Sequence, residues 1–220
     1  MLKININYLT LNIMYYALIK RIVNYFRINK NSIIILKCDN LGNVPELPNI
    51  KYSIRSMNIN SQSDIDYWLE IMRVSFNRSN ISKKDFYDNV IQHPYYSVIE
   101  TFFLVDGVKP IAIVSAAYFK KNNKIGVTHY LGISQEYKGQ KLGKYMILYA
   151  LHYLRKNGFN QCEAESYLKY KESLGIHFNF GFKPKTKFEN WNTFDNSNLI
   201  SKILTKSELL KFYKNFYKNK

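Results

Sequence analysis

The chain has 220 residues, 46% of them hydrophobic and 22% charged, which is enough apolar material for one buried core of ordinary domain size. Its 32 Lys and Arg stand against 16 Asp and Glu, and the resulting net charge of +16 suits an anionic partner: nucleic acid, an acidic protein or an acidic membrane surface. Two cysteines, Cys38 and Cys162, exclude a disulfide framework, and no His/Cys/carboxylate spacing resembles a zinc site, so no metal is expected and a reducing cytoplasm fits.

The charge has a second reading. Asparagine, isoleucine and tyrosine abound beside lysine along the whole chain, as AT-rich coding produces, so the basic surface is either functional or compositional.

Residues 4–19 are apolar and aromatic, but Asn5, Asn7 and Asn12 interrupt them, and the run is too short to span a membrane. One lysine precedes it and no small-residue cleavage site follows, which argues against a signal peptide. From residue 12 to 28, Ile13, Tyr16, Ala17, Ile19, Ile22, Val23 and Phe26 form a helical stripe with Lys20, Arg21 and Arg27 outside it. Such a basic amphipathic helix docks on its own domain or on a second copy in a homodimer, or lies on a membrane. Gly42, Pro45 and Pro48 mark a loop, so residues 1–48 read as an N-terminal extension, 49–200 as the main domain and 201–220 as a basic C-terminal helix.

Within the main domain, residues 53–57 suggest a short strand. Ser63-Asp64 can cap a helix to about Phe76 with Ile65, Trp68, Leu69 and Met72 inward, and Ser82 a second one near residues 83–92, stopped by Pro94. Residues 101–105 and 111–119 form a hairpin across residues 106–110, and residues 124–133 a third strand after Asn122-Asn123. Leu142, Met146, Tyr149 and Tyr153 make the inward stripe of a helix that ends at Asn157-Gly158. A strand at 162–166, a helix at 171–180 stopped by Gly181, and a last strand or two in 183–200 complete the domain.

Tyr137-Lys-Gly-Gln-Lys-Leu-Gly-Lys-Tyr-Met146 is the most informative stretch. A strand leads into it and a long helix leaves it, so backbone N–H groups at the helix start have no internal partner and can receive a phosphate or pyrophosphate. Gly139 and Gly143 remove Cβ atoms from the turn, and Lys138, Lys141 and Lys144 add cations. Taken by itself the stretch is equally an ordinary strand-to-helix turn with solvated lysines.

Gln140-Lys-Leu-Gly143-Lys-Tyr145 resembles the acetyl-coenzyme A pyrophosphate loop of the GNAT N-acetyltransferase family, whose pattern is Gln or Arg, two residues, Gly, one residue, then Gly or Ala. Lys141 replaces a frequent glycine, and Tyr145 the final small residue. Downstream, Tyr170-Lys-Glu-Ser173-Leu-Gly-Ile-His177-Phe-Asn-Phe-Gly181-Phe182 resembles the family's Asn-x-x-Ala-x-x-x-Tyr-x-x-x-Gly-Phe segment, with Tyr170 and His177 as departures. The likeness runs from the strand at Tyr52-Ser-Ile-Arg55 to about Pro184.

The resemblance implies an α/β (α+β mixed) fold, a splayed mixed sheet flanked by helices and carrying the N-terminal helical extension. It implies acetyl-coenzyme A as cosubstrate, its pyrophosphate on Lys138, Gly139, Gln140, Lys141, Leu142, Gly143 and Lys144. It also implies pantetheine along the backbone of Leu131, Gly132 and Ile133. The acceptor, a small-molecule or peptide amine, must be neutral to attack, so a base is useful. His129, on the strand flanking the cleft, is a candidate base or a structural histidine. His177, where the family carries a tyrosine, is a candidate acid for the departing sulfur, unless proximity and orientation make an acid dispensable. Glu163 and Glu165 are secondary base candidates across the cleft, with at most one expected to point inward. The alternative function is an acetyltransferase fold kept as a binding or regulatory module that engages an anionic macromolecule.

Overall fold

Three long antiparallel strands form the middle of the sheet: β3 (Tyr96–Asp106), β4 (Lys109–Phe119) and β5 (Asn122–Ile133) in this computed structural model, which describes residues 33–167 and 170–184. The β3–β4 turn needs only Gly107 and Val108, because Gly107 takes φ +60 and Asp106 pairs directly with Lys109. Both strands are therefore longer than the sequence suggested. The remaining elements are β1 (Ile33–Cys38), β2 (Ser53–Ser56), α1 (Gln62–Phe76), α2 (Lys83–Phe86), α3 (Leu142–Lys156), β6 (Gln161–Tyr167), α4 (Lys171–Asn179) and β7 (Lys183–Pro184). Strand order is β2-β3-β4-β5-β6-β1-β7, all antiparallel except β5 with β6.

Local chemistry sets the helix ends. Ser61, rather than Ser63, caps α1 by accepting from the Asp64 amide, and Asn77 ends the helix in the left-handed region. Ser82 and Asp85 close a capping box on α2, which then widens into a π-helical turn at Tyr87–Ile91 instead of continuing as one helix. Ile65, Trp68, Leu69 and Met72 of α1 bury against Phe103, Val105 and Ile113 on one face of the sheet. On the other face α3 buries Leu142, Met146, Leu148, Leu151 and Leu154 against Phe102, Leu104, Ala112 and Val114.

One boundary is corrected. Ile33–Cys38 belongs to the sheet, between β6 and β7, and not to an extension that ends at residue 48. The proline-rich loop that suggested the boundary is a connection inside the domain. Four consecutive apolar residues, Ile33 to Leu36, lack the alternation of a half-buried strand, and their partner strand lies far along the chain. The amphipathic helix of residues 12–28, the strands expected beyond 184 and the helix of 201–220 lie outside the described residues. Among those described, no helix is long and apolar enough to cross a membrane.

The feature that positions the site is a short parallel ladder. β5 and β6 pair only from Ile125↔Gln161 to Thr128↔Ala164, yet β5 runs on to Ile133 and β6 to Tyr167. Beyond Thr128 the strands part and leave a gap in the sheet.

Candidate functional site

The chain leaves β5 at the mouth of this gap and turns into α3. Gly139 sits at φ +83 with open space where a Cβ would lie, and Lys141, the N-cap, sits at φ +61. Glycine is favoured there because a side chain in the left-handed region costs roughly 1–2 kcal/mol, so Lys141 does not keep an ordinary backbone. A left-handed residue followed by a right-handed helix turns successive amides toward one point, a concave anion-binding geometry. No side chain caps α3, and the amides of residues 139–143 donate to no group among the described residues. This cradle fits a pyrophosphate.

Its side chains divide the work. Leu142 is core; Lys141 and Lys144 are exposed, with Lys144 Nζ 5.8 Å from the Phe180 ring centre. Lys138 Nζ donates to the Val74 carbonyl at 3.4 Å, tying the loop to the end of α1. Gln140 Oε1 accepts from Tyr52 Oη at 3.1 Å, a partner without sequence signal. Gly143 serves packing: a Cβ there would lie 3.2 Å from Ile176 Cδ1 and 3.6 Å from Leu131 Cδ2.

Between His129↔Ser115 and Gly132↔Ile113, Tyr130 and Leu131 of β5 oppose Val114 of β4 alone, a bulge that holds Tyr130 at φ +49. Gly132 lets α1 approach, since a Cβ would be 2.5 Å from Met72 Cε. The Ile133 amide already donates to Ser75 Oγ at 2.9 Å, and Ser75 Oγ donates to the Ile133 carbonyl at 3.3 Å. The open edge that remains for a ligand backbone is therefore centred on Leu131.

The two candidate histidines differ from their expected roles. His177 is buried; its Nδ1–H donates to the Ser173 carbonyl at 2.7 Å, and Nε2 faces Thr128 Oγ1 at 3.5 Å. Burial pushes its pKa down to about 4, partly opposed by the Ser173 bond, so at neutral pH Nε2 carries no proton to give. His129 packs edge-on to His93, Tyr96 and Tyr130, with ring centres 5.3, 5.0 and 3.9 Å away. Its Nε2 is enclosed without a hydrogen-bond partner, and burial together with His93 pushes its pKa down to about 3. Such an imidazole accepts a hydrogen bond but holds a proton weakly.

Glu163 and Glu165 share one face, as residues two apart on a strand must, and both act on Tyr96. That corrects the expectation that at most one points inward. Glu165 accepts a hydrogen bond from Tyr96 Oη, and burial raises its carboxyl above the usual range. Tyr96 itself stacks on His93, ring centres 4.3 Å apart. Nothing in the sequence marked Tyr96, because β3 and β6 meet only across the gap.

The chain matches the family model described as the acetyltransferase (GNAT) family over residues 65–182. No curated protein matches it. Solved structures similar to it include a tandem GNAT protein from the clavulanic acid biosynthesis pathway, 14% identical over 69% of this chain and 50% of that one, TM-score 0.52. Another is a GNAT-family acetyltransferase from Colwellia psychrerythraea, 11% identical over 69% and 52%, TM-score 0.52. A third is the ribosomal-protein-S18-alanine N-acetyltransferase of Escherichia coli, 18% identical over 59% and 76%, TM-score 0.48. The chain spans 50 to 61% of the length of four such structures.

Proposed function

Because the chain belongs to the acetyltransferase (GNAT) family, we propose that it moves an acetyl group from acetyl-coenzyme A to a primary amine. The observation that carries this reading is the set of undonated amides at residues 139–143, opening at the mouth of the gap between β5 and β6. These amides and the exposed Lys141 and Lys144 hold the pyrophosphate. The free edge at Leu131 directs the pantetheine arm inward, toward the point where the strands part.

Acetyl-coenzyme A supplies the activated acetyl group; the residues of this chain bind, orient and exclude water. Holding amine and thioester together supplies much of the rate. His129 Nε2 accepts a hydrogen bond from the amine or from a bridging water. His177 fixes the floor of the gap through Thr128 and Ser173 and acts as a positioning residue. A thiolate with an ordinary thiol pKa of about 8.5 leaves readily and takes its proton from water.

The test is a thermal shift of the full chain with acetyl-coenzyme A, followed by a thiol-release assay with a panel of amines. Stabilisation and amine-dependent thiol release are expected. Stabilisation with no release on any amine favours the binding-module alternative, and no stabilisation overturns the cofactor site.

A further inference from the structure

We propose that residues 12–28 of this same chain dock across the open end of the gap between β5 and β6. There they form the outer wall of the acceptor site, so that the acceptor is a free small amine, a consequence that rests on the acetyltransferase reading. The chain enters the sheet beside the gap. β1 runs antiparallel to β6, with Ile33 opposite Tyr167 and Ile35 opposite Glu165. The ladder between β5 and β6 has by then ended, at Thr128↔Ala164. Residues 165–167 of β6 are therefore bordered by β1 on one side and by the gap on the other. The segment that precedes β1, which lies outside the described residues, is delivered level with the gap's open end.

That end has an aromatic rim drawn from both banks. Phe76 ends α1, and its ring centre lies 5.7 Å from that of Tyr170. Tyr170 in turn meets Tyr167, the last residue of β6, at 5.6 Å. On the other bank, Tyr130 of β5 feels Glu165 and Tyr167 from β6 and Asp85 and Arg78 from the α2 side, and Arg78 also acts on Tyr170. Phe76, Tyr130, Tyr167 and Tyr170 are each half-buried. Rings at the edge of a cleft suit the apolar face of an amphipathic helix.

Residues 12–28 supply such a face. Their apolar stripe runs at helical spacing from Ile13 through Ile19, Ile22 and Val23 to Phe26, with Lys20, Arg21 and Arg27 outside it. An isolated helix of this length is marginal in water, so the stripe needs a surface to bury it. Only Asn29, Lys30, Asn31 and Ser32 separate it from β1. Four residues span at most about 14 Å, and neighbouring strands lie about 4.8 Å apart. The end of the stripe at Phe26 therefore reaches across β6 to the gap, and the far edge of the sheet at β2 is beyond it. With its own chain over the opening, a free small amine passes beneath the segment to Leu131. A lysine on a folded protein would instead bring that protein's surface against the segment.

The experiment places p-benzoylphenylalanine at position 26 of the full chain, irradiates it, and maps the cross-links by size separation and mass spectrometry. Links within one chain to residues 76–78, 130 or 165–170 are expected. Ile19→Asp with Ile22→Asp should lower their yield by about tenfold or more, because docking would then bury unpaired carboxylates. A cooperative melt and an unchanged shift with acetyl-coenzyme A check that this double variant is folded, and the parent's links decide the question by themselves if it is not. Links only between two copies, or only to other parts of the chain, overturn the docking. So does co-sedimentation of the parent with vesicles of phosphatidylserine and phosphatidylcholine that the double variant loses. In the thiol-release assay, the best of 2-phenylethylamine, glucosamine and Nα-acetyl-lysine should outpace the lysines of lysozyme, and lysozyme acetylated as fast overturns the wall. No release on any amine defeats the acetyltransferase reading and leaves the cross-links to decide the docking.

Discussion

Gly143 tests whether the start of α3 is the cofactor cradle. A Cβ at this position would lie 3.2 Å from Ile176 Cδ1 and 3.6 Å from Leu131 Cδ2. In Gly143→Ala the end of Ile176 gives by a few tenths of an ångström, and the gain in helix propensity of about 1 kcal/mol offsets the crowding. Gly143→Val pushes two further methyl groups into the same space, an overpacking cost of roughly 1–3 kcal/mol. Set against a typical stability of about 5–15 kcal/mol, the valine chain stays folded. To relieve the overlap, the first turn of α3 moves away from α4 and β5 and carries the amides of residues 139–143 with it. Losing one charge-assisted hydrogen bond of about 1.5–3 kcal/mol raises Kd by roughly 10- to 100-fold. The assay is thermal melting with acetyl-coenzyme A at about 100 times the parent Kd, where binding stabilises the parent by about 2.7 kcal/mol. A hundredfold rise in Kd reduces that to about 0.4 kcal/mol, while Gly143→Ala retains most of it. A valine variant with the parent's full ligand-induced shift refutes the placement.

Three further outcomes follow from the buried polar groups. His177 contributes as a neutral side chain: its folded pKa of about 4 lies below the unfolded 6.5, so the stabilisation is complete above pH 6.5 and fades as pH falls toward 4. Melting curves should show up to about 3 kcal/mol lost across that window, less in His177→Phe, and turnover of His177→Phe should stay within about tenfold of the parent; a 10²-fold fall would restore it as the acid. His129→Ala should scale log(kcat/KM) without reshaping its acid limb, because a group titrating near pH 3 lies below the working range. A changed limb would identify His129 as the titrating base. Asp64 accepts two guanidinium N–H groups of Arg55 at 2.7 Å each and the Asn58 amide at 2.8 Å. Asp64→Ala should therefore cost about 2 kcal/mol in urea unfolding, and a cost near zero would mean that the α1–β2 tie is replaced by water. The Arg55 hydrogen bond holds the Asp64 carboxyl below its usual range, so its contribution is present above pH 4 and lost on further acidification.

Wherever one stretch of chain carried its own signal, the sequence determined the answer. The apolar runs of β3 and β4, the apolar stripe of α1, the cap at Ser82 and the loop from Tyr137 to Tyr145 are all local patterns. The family followed from two such patterns in the right order. What the tertiary structure alone decided was which residues meet. Ile33 to Leu36 became an internal strand because its partner, β6, lies far along the chain. Lys141 took a left-handed backbone because the loop must turn its amides outward, whatever side chain stands there. His177 looked available as an acid until its burial was seen to hold it neutral, with Nδ1–H spent on the Ser173 carbonyl. Glu165 meets Tyr96, and Tyr130 meets Trp68, each pair from two separate elements, and no periodicity in any one of them encodes those meetings. Burial and pKa depend on the summed field and packing of all these neighbours, and those exist only once the chain has folded.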